Sequence, residues 1–185
     1  DCLPMGDANV IYGEDCRYAM SYIGGQDPNS VFAVPRLPGT DGLLAPGCVV
    51  ETPKGHVFLT QNMDVMIHSG GACTSLAQGR IMTLLNKVNP AYKKRSFLVV
   101  NPRFHEVCVC IPTGTSQVPD TAHIWNWRDD TWGHKGLPSI TYGCSGLVRN
   151  DITEQYMLAC SSVGPRVGAA DYAGSGDDFG SLYDF

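Results

Sequence analysis

The feature that most constrains this chain is a recurring hairpin: a short apolar run, a polar turn, and a second apolar run. Val10-Ile11-Tyr12 is followed by Gly13-Glu14-Asp15 and then Tyr18-Ala19-Met20-Ser21-Tyr22-Ile23-Gly24-Gly25. Val57-Phe58-Leu59 is followed by Gln61-Asn62 and then Val65-Met66-Ile67-His68, and Phe97-Leu98-Val99-Val100 by Asn101-Pro102-Arg103 and then Val107-Cys108-Val109-Cys110-Ile111. Runs of this length bounded by turn formers predict paired antiparallel strands. With Val10, Val57 and Leu98 as markers, the hairpins are spaced by 47 and 41 residues. Periods of about 40–50 residues built from short antiparallel strands are those of β-propeller blades.

A further pair, Thr121-Ala122-His123-Ile124-Trp125-Asn126-Trp127 and Thr131-Trp132 around the turn Arg128-Asp129-Asp130, extends the third hairpin. It predicts a complete four-stranded blade over roughly residues 96–135, and Gln155-Tyr156-Met157-Leu158-Ala159-Cys160 begins another. The expected fold is all-β with one short helix, its antiparallel blades of propeller type. Residues 1–163 form a partial propeller of about three blade-like hairpin units, within a larger propeller-containing subunit. Residues 164–185, rich in Gly, Ala, Ser and Asp, read as a linker or arm.

The helix is expected after Ser75-Leu76-Ala77-Gln78, which has the form of a capping box. Ala77, Ile81, Leu84, Leu85 and Val88 then share one face at helical spacing. Asn89-Pro90 ends it, because the residue before a proline is pushed out of helical geometry. The basic run Lys93-Lys94-Arg95 follows; it reads as a solvated helix end or as a contact with nucleic acid or an acidic partner.

The 185 residues suffice for one domain or a piece of a larger protein. Because the chain starts Asp1-Cys2-Leu3 without an initiator Met, a segment of a longer polypeptide is the expectation. The net charge of −5 argues against a dedicated nucleic-acid binder. Only 17% of residues are charged, which suits a subunit with large covered surfaces, since charges are depleted there. Eight cysteines (Cys2, Cys16, Cys48, Cys73, Cys108, Cys110, Cys144, Cys160) are too few for a stapled secreted scaffold. Most sit in apolar runs and read as reduced core thiols, in a chain that folds in a reducing cytoplasm. Residues 1–20 carry no signal-peptide pattern, and no apolar segment approaches the ~20 residues of a membrane helix.

No catalytic, cofactor-binding or metal-ligating residue emerges, and the chain reads as a non-enzyme. Tyr142-Gly143-Cys144-Ser145-Gly146 lacks the strand–turn–helix context of a nucleophile elbow. His68-Ser69-Gly70-Gly71 runs toward the expected helix as an anion-binding turn would, but without the Gly-Lys-Ser/Thr ending of a P-loop. Cys108 and Cys110 share a strand face near His105 or His123, yet no second ligand pair with zinc spacing accompanies them. The other histidines, His56, His68 and His134, fall at strand ends and turns. Asp129-Asp130 reads as turn chemistry. Trp125 and Trp127 share a face with Trp132 across the turn, either as packing between blades or as a sugar-stacking platform.

Between residues 42 and 138 the ordered motifs are more specific. Gly42-Leu43-Leu44-Ala45-Pro46-Gly47-Cys48, Gly55-His56-Val57-Phe58-Leu59, Met63-Asp64-Val65-Met66-Ile67-His68-Ser69-Gly70-Gly71 and Ser75-Leu76-Ala77-Gln78-Gly79-Arg80-Ile81 come first. Asn101-Pro102-Arg103-Phe104-His105-Glu106 and Trp125-Asn126-Trp127-Arg128-Asp129-Asp130-Thr131-Trp132-Gly133-His134 follow. In this order they resemble the tail nozzle (tail tubular protein B-like) proteins of short-tailed bacteriophages. The resemblance implies a structural virion protein of the phage tail, assembled in the host bacterial cytoplasm. Such a subunit forms a homo-oligomeric ring, a hexamer, below the portal-adaptor ring. Tail fibres or spikes attach to it, and double-stranded DNA is ejected through its lumen without specific binding. The resemblance brings no catalytic or cofactor residues. The alternative is a glycan-binding or glycan-cleaving propeller for host-surface recognition.

Overall fold

Most of the longest apolar runs become inner strands of four separate antiparallel sheets, while the run starting at Phe97 becomes an edge strand. The structure, a computed structural model, describes residues 1–27, 30–137, 140–147, 155–161, 166–169 and 180–184. Two compact units divide the chain, Asp1–Met82 and Thr83–Phe185.

The first unit holds two sheets. β1 (Cys2–Met5), β2 (Ala8–Tyr12), β3 (Arg17–Asp27) and β4 (Ser30–Ala33) form one, paired in chain order. β5 (Val49–Thr52), β6 (Gly55–Leu59), β7 (Val65–His68) and β8 (Cys73–Ser75) form the other in the same way. Val57, Phe58 and Leu59 are fully buried although consecutive residues face opposite sides of a strand. β6 is therefore covered on both faces, which is why it reads as a continuous apolar run rather than an alternation.

The connection from β4 to β5 passes back through this unit, burying Leu43, Leu44, Ala45 and Cys48. Leu43 N–H donates to the Gly13 carbonyl and Leu44 N–H to the Leu59 carbonyl, fastening it to both sheets. Gly42 is required at this crossing, since a Cβ there would stand 1.8 Å from the Glu14 carbonyl oxygen.

The second unit also holds two sheets. β9 (Phe97–Asn101), β10 (Glu106–Ile111), β11 (Thr121–Asn126) and β12 (Thr131–Gly136) are again joined in chain order. Their strands coincide with the four read from the sequence over residues 96–135. β13 (Ile140–Leu147), β14 (Gln155–Ser161), β15 (Arg166–Ala169) and β16 (Gly180–Asp184) make the fourth sheet. One face of β9–β11 presents Phe97, Val99, Cys108, Cys110 and Ala122 to Ile140 at the start of β13, an apolar core.

Four sheets thus stand where about three hairpin units are expected. Their first strands begin at Cys2, Val49, Phe97 and Ile140, at intervals of 47, 48 and 43 residues. The 41-residue spacing taken from Val57 to Leu98 is out of phase, because Leu98 lies on a first strand whereas Val10 and Val57 lie on second strands. β14 is the second strand of its sheet, not its first. The segment 164–185, expected as a linker or arm, contributes β15 and β16; residues 164–165, 170–179 and 185 of it lie outside the described residues. Pairing is made by the backbone, so a Gly- and Ala-rich composition does not preclude it.

The helix is much shorter than expected. Ser75 closes β8, and its hydroxyl accepts from the Gln78 N–H at 3.0 Å as a cap would. Gly79 then adopts φ +73°, a left-handed conformation that no right-handed helix can pass through. Regular helix is confined to α1 (Met82–Leu85), although Ala77, Ile81 and Leu85 are buried as their spacing predicts.

Candidate functional site

The indole platform is closed. Trp125 and Trp127 are only 2% and 5% exposed, the arrangement of a packed core. Trp125 pairs with Trp132 across β11 and β12. Its indole N–H donates to the Asp130 carboxylate at 2.9 Å, which satisfies the one polar atom that burying this ring would otherwise strand. Asp130 takes φ +53° to reach it. The backbone turn itself is held by Asn126, whose side-chain oxygen accepts from the Arg128 and Asp129 N–H groups. Asn126 thus serves the turn's backbone, and the Asp130 carboxylate reaches the tryptophan.

Cys108 and Cys110 line the apolar cluster of the second unit. His123 is buried in β11, held below its ordinary pKa by burial first, then by His134 and Lys87. His105 sits in the β9–β10 turn at φ +60°, its ring edge-on to Trp127 at 5.7 Å. Among the seven cysteines with described side chains, Cys48, Cys108 and Cys110 are buried, Cys16 and Cys73 are half-buried, and Cys2 and Cys144 are exposed; all seven are free thiols. Burial pushes the Cys48 thiol up to about 12. The glycine-rich turn after His68 connects β7 to β8, not to a helix, so it offers no helix N-terminus to an anion. Residues 142–146 lie within β13. Lys93–Arg95 forms a single 3₁₀ turn in which the Arg95 guanidinium lies 4.8 Å over the Tyr92 ring and donates to the Gln117 carbonyl.

Among the described residues, one buried group of titratable side chains is not announced by the sequence. In the first unit the Tyr12 hydroxyl lies 2.9 Å from His56 Nδ1 and 3.1 Å from His68 Nδ1. His56 and His68 are cross-strand partners on β6 and β7, and Tyr12 reaches them from β2 in the other sheet. Proton counting fixes the direction of the bonds. His56 Nε2 lies 2.8 Å from the Pro4 carbonyl, which only accepts, so that nitrogen carries the proton. With its proton on Nε2, His56 accepts at Nδ1 from the Tyr12 hydroxyl, and His68 then donates its Nδ1–H to the Tyr12 oxygen.

Arg17 lies beside this network, 1% exposed. Its guanidinium stands 5.7 Å over the Phe58 ring, donates to the Pro38 carbonyl at 2.7 Å and contacts Cys73 Sγ. Arg17 Nε and His68 Nε2 find no partner among the described residues. Burial lowers the His68 pKa to about 4, helped by the positive charge of Arg17 and by His56, and opposed in part by the Gly71 carbonyl. Burial likewise pushes the Tyr12 phenol well above its ordinary value. Both groups are neutral at pH 7. Buried and hydrogen-bonded to one another, Tyr12, His56 and His68 form a polar seam between two sheets rather than an open reaction site.

A groove of about 350 Å³ opens beside the seam, lined by Pro4, Met5, Glu51, Lys54, His56 and Ser69 among others. Its floor at His56 is already engaged by Pro4. Among the described residues no group of three or more His, Cys, Asp or Glu side chains converges as metal ligands would. No helix among them is long and apolar enough to cross a membrane. Compared with known proteins, the chain matches no protein-family model and no curated protein.

Proposed function

We propose that this chain is a segment of a structural virion subunit of the tail nozzle kind, and that its four sheets are propeller blades. The observation that carries the reading is the repetition of one unit. Four consecutive four-stranded antiparallel sheets, each ordered along the chain, recur at intervals of 43 to 48 residues. Repetition of this kind supports the blade reading, since propeller blades are four-stranded antiparallel sheets. The motifs behind the resemblance also have structural work in these sheets. Gly42-Leu43-Leu44 fastens the first unit's crossing, and the Trp125–Trp132 hairpin is locked by Asp130.

A second support is an apolar edge. Tyr22, Val31, Phe32 and Val34 on and beside β3 and β4 are 68%, 53%, 51% and 48% exposed. Exposed apolar patches of this kind mark surfaces that assembly covers. In this reading the subunit forms a homo-oligomeric ring of six between the portal-adaptor ring and the tail fibres or spikes. Double-stranded DNA passes through without specific binding, and the protein performs no turnover and needs no cofactor. A glycan-binding propeller would require Trp125 and Trp127 to face solvent, and both are buried.

The test is a clean deletion of the coding sequence in the phage. Tailless, non-infective particles that recover when the protein is supplied in trans are expected. Intact, infective tails without it would overturn the proposal.

A further inference from the structure

Charge is unevenly distributed along this chain. From Val65 to His105 there are six cations (Arg80, Lys87, Lys93, Lys94, Arg95 and Arg103) and no Asp or Glu. The other residues hold 7 cations against 18 acids, a balance of −11 within a total of −5. A net acidic chain therefore carries one strongly basic stretch.

In the second unit the fold gathers most of that stretch at one end of the third sheet. Asn89 N–H donates to the Pro112 carbonyl and Gly114 N–H to the Lys87 carbonyl, tying the segment before β9 to the loop between β10 and β11. Arg95 is tied to the same loop through Gln117. Lys135, paired with Ala122 near the start of β11, adds a fifth cation at this end. Lys87, Lys94 and Arg95 are exposed, and Lys93 and Lys135 are half-buried. The acid of the neighbouring loop is Asp120, whose carboxylate accepts from the Thr113 N–H and hydroxyl. Glu106, Asp129 and Asp130 lie at the opposite end of the strands. Lys87 lies close enough to the buried His123 to help lower its pKa, after burial and His134.

We propose that this end of the third sheet docks the phosphodiester backbone of nucleic acid, held by charge without reading the bases. Nucleic acid fits better than an acidic protein for a compositional reason. Stable protein interfaces need buried aromatic or aliphatic anchors. Of the exposed large apolar side chains among the described residues, only Tyr142 lies near, its ring 5.9 Å from Phe97 at the start of β9. The exposed neutral groups here are Asn86, Thr115 and Gln117, hydrogen-bonding side chains suited to phosphate and sugar. The inference goes beyond the ring reading, which requires no hold on nucleic acid, and it stands whether or not the chain forms a ring.

The experiment titrates the 185-residue chain with a fluorescently labelled mixed-sequence duplex across a salt series. With about four phosphate contacts, affinity falls roughly 100-fold between about 50 and 200 mM salt, a log–log slope near −3.6. K93Q/K94Q/R95Q should make that slope shallower by about 3. K93Q/K94Q, which keeps the Arg95 contacts with Tyr92 and Gln117, should make it shallower by about 2. R103Q/R128Q, at the other end of the strands, should leave it unchanged. Single-stranded DNA should bind with the shallower dependence of about −0.7 per contact. Absence of duplex binding at the lowest salt, or slopes identical in the wild type and both lysine variants, overturns the proposal. So does tighter binding of polyglutamate than of duplex, which would assign the surface to an acidic protein.

Discussion

The two units bury unlike interiors under the same strand pattern. Between the two sheets of the first unit lie Tyr12, Arg17, His56 and His68, joined by hydrogen bonds from one sheet to the other. The second unit brings its two sheets together through Phe97, Val99, Cys108, Cys110, Ala122 and Ile140. Apolar packing tolerates loss in proportion to the volume removed. A polar seam fixes one register and one spacing, because any displacement strands a buried donor or acceptor. The first unit is therefore the more narrowly specified of the two, and the more sensitive to acid.

All three tryptophans lie in the second unit, so their fluorescence follows it alone, while amide exchange over residues 1–82 follows the first. The largest difference between the units should come from Gly42→Ala. Its Cβ would stand 1.8 Å from the Glu14 carbonyl oxygen, so backbone must move. We expect a loss of about 4 kcal/mol or more, read as collapsed amide protection across the first unit. Near-normal protection there would show that the crossing can shift and that the first unit is less tightly specified.

Acid comes next. The His68 pKa is about 4 when folded, against 6.5 when free, so in that window the unfolded chain binds more protons. Stability of the first unit therefore rises with pH and is lost as pH falls from 6.5 toward 4, by about 3 kcal/mol in all. His123 is also lowered and pulls the second unit in the same direction. His68→Gln should flatten the profile of residues 1–82; an unchanged profile would remove His68 as its source.

Tyr12→Phe keeps the ring and deletes the hydroxyl, leaving His56 Nδ1 without its donor and the His68 Nδ1–H without its acceptor. The expected cost is about 2 kcal/mol in chemical denaturation. In the apolar interior, Cys108→Ala should cost about 1 kcal/mol, because only a small buried group is lost. Equal costs for these two substitutions would erase the contrast between the units. Thiol labelling of the native chain supplies a further check. Cys2 and Cys144 should react quickly, and Cys48, Cys108 and Cys110 only on unfolding.

Much of the strand pattern was legible because inner strands are apolar on both faces. β6 and β10 are unbroken runs whose flanking turns are marked by Gln61-Asn62 and by Asn101-Pro102. Weaker edge strands such as β1, interrupted by Pro4, and β16 carry no such run, since an edge strand needs only backbone pairing on one side. The helix was overextended because buried spacing survives in a chain of turns, whereas Gly79 ends helical geometry. The polar seam was hidden by distance, with Tyr12 lying 44 and 56 residues from its two partners. Half of it was nonetheless available. His56 and His68 are equidistant from Asn62, so a hairpin centred there must pair them, as the register does. What the sequence cannot supply is the third member, which depends on how two sheets pack.

The most direct test of the central claim is electron cryo-microscopy of purified particles, with the intact mass of the native polypeptide carrying this sequence. The account predicts a product several times larger than 20.0 kDa. Its density should contain these four-stranded sheets as adjacent blades, repeated around the tail axis below the portal. A free species of this mass, or particles whose tails contain no copy of these sheets, would contradict it.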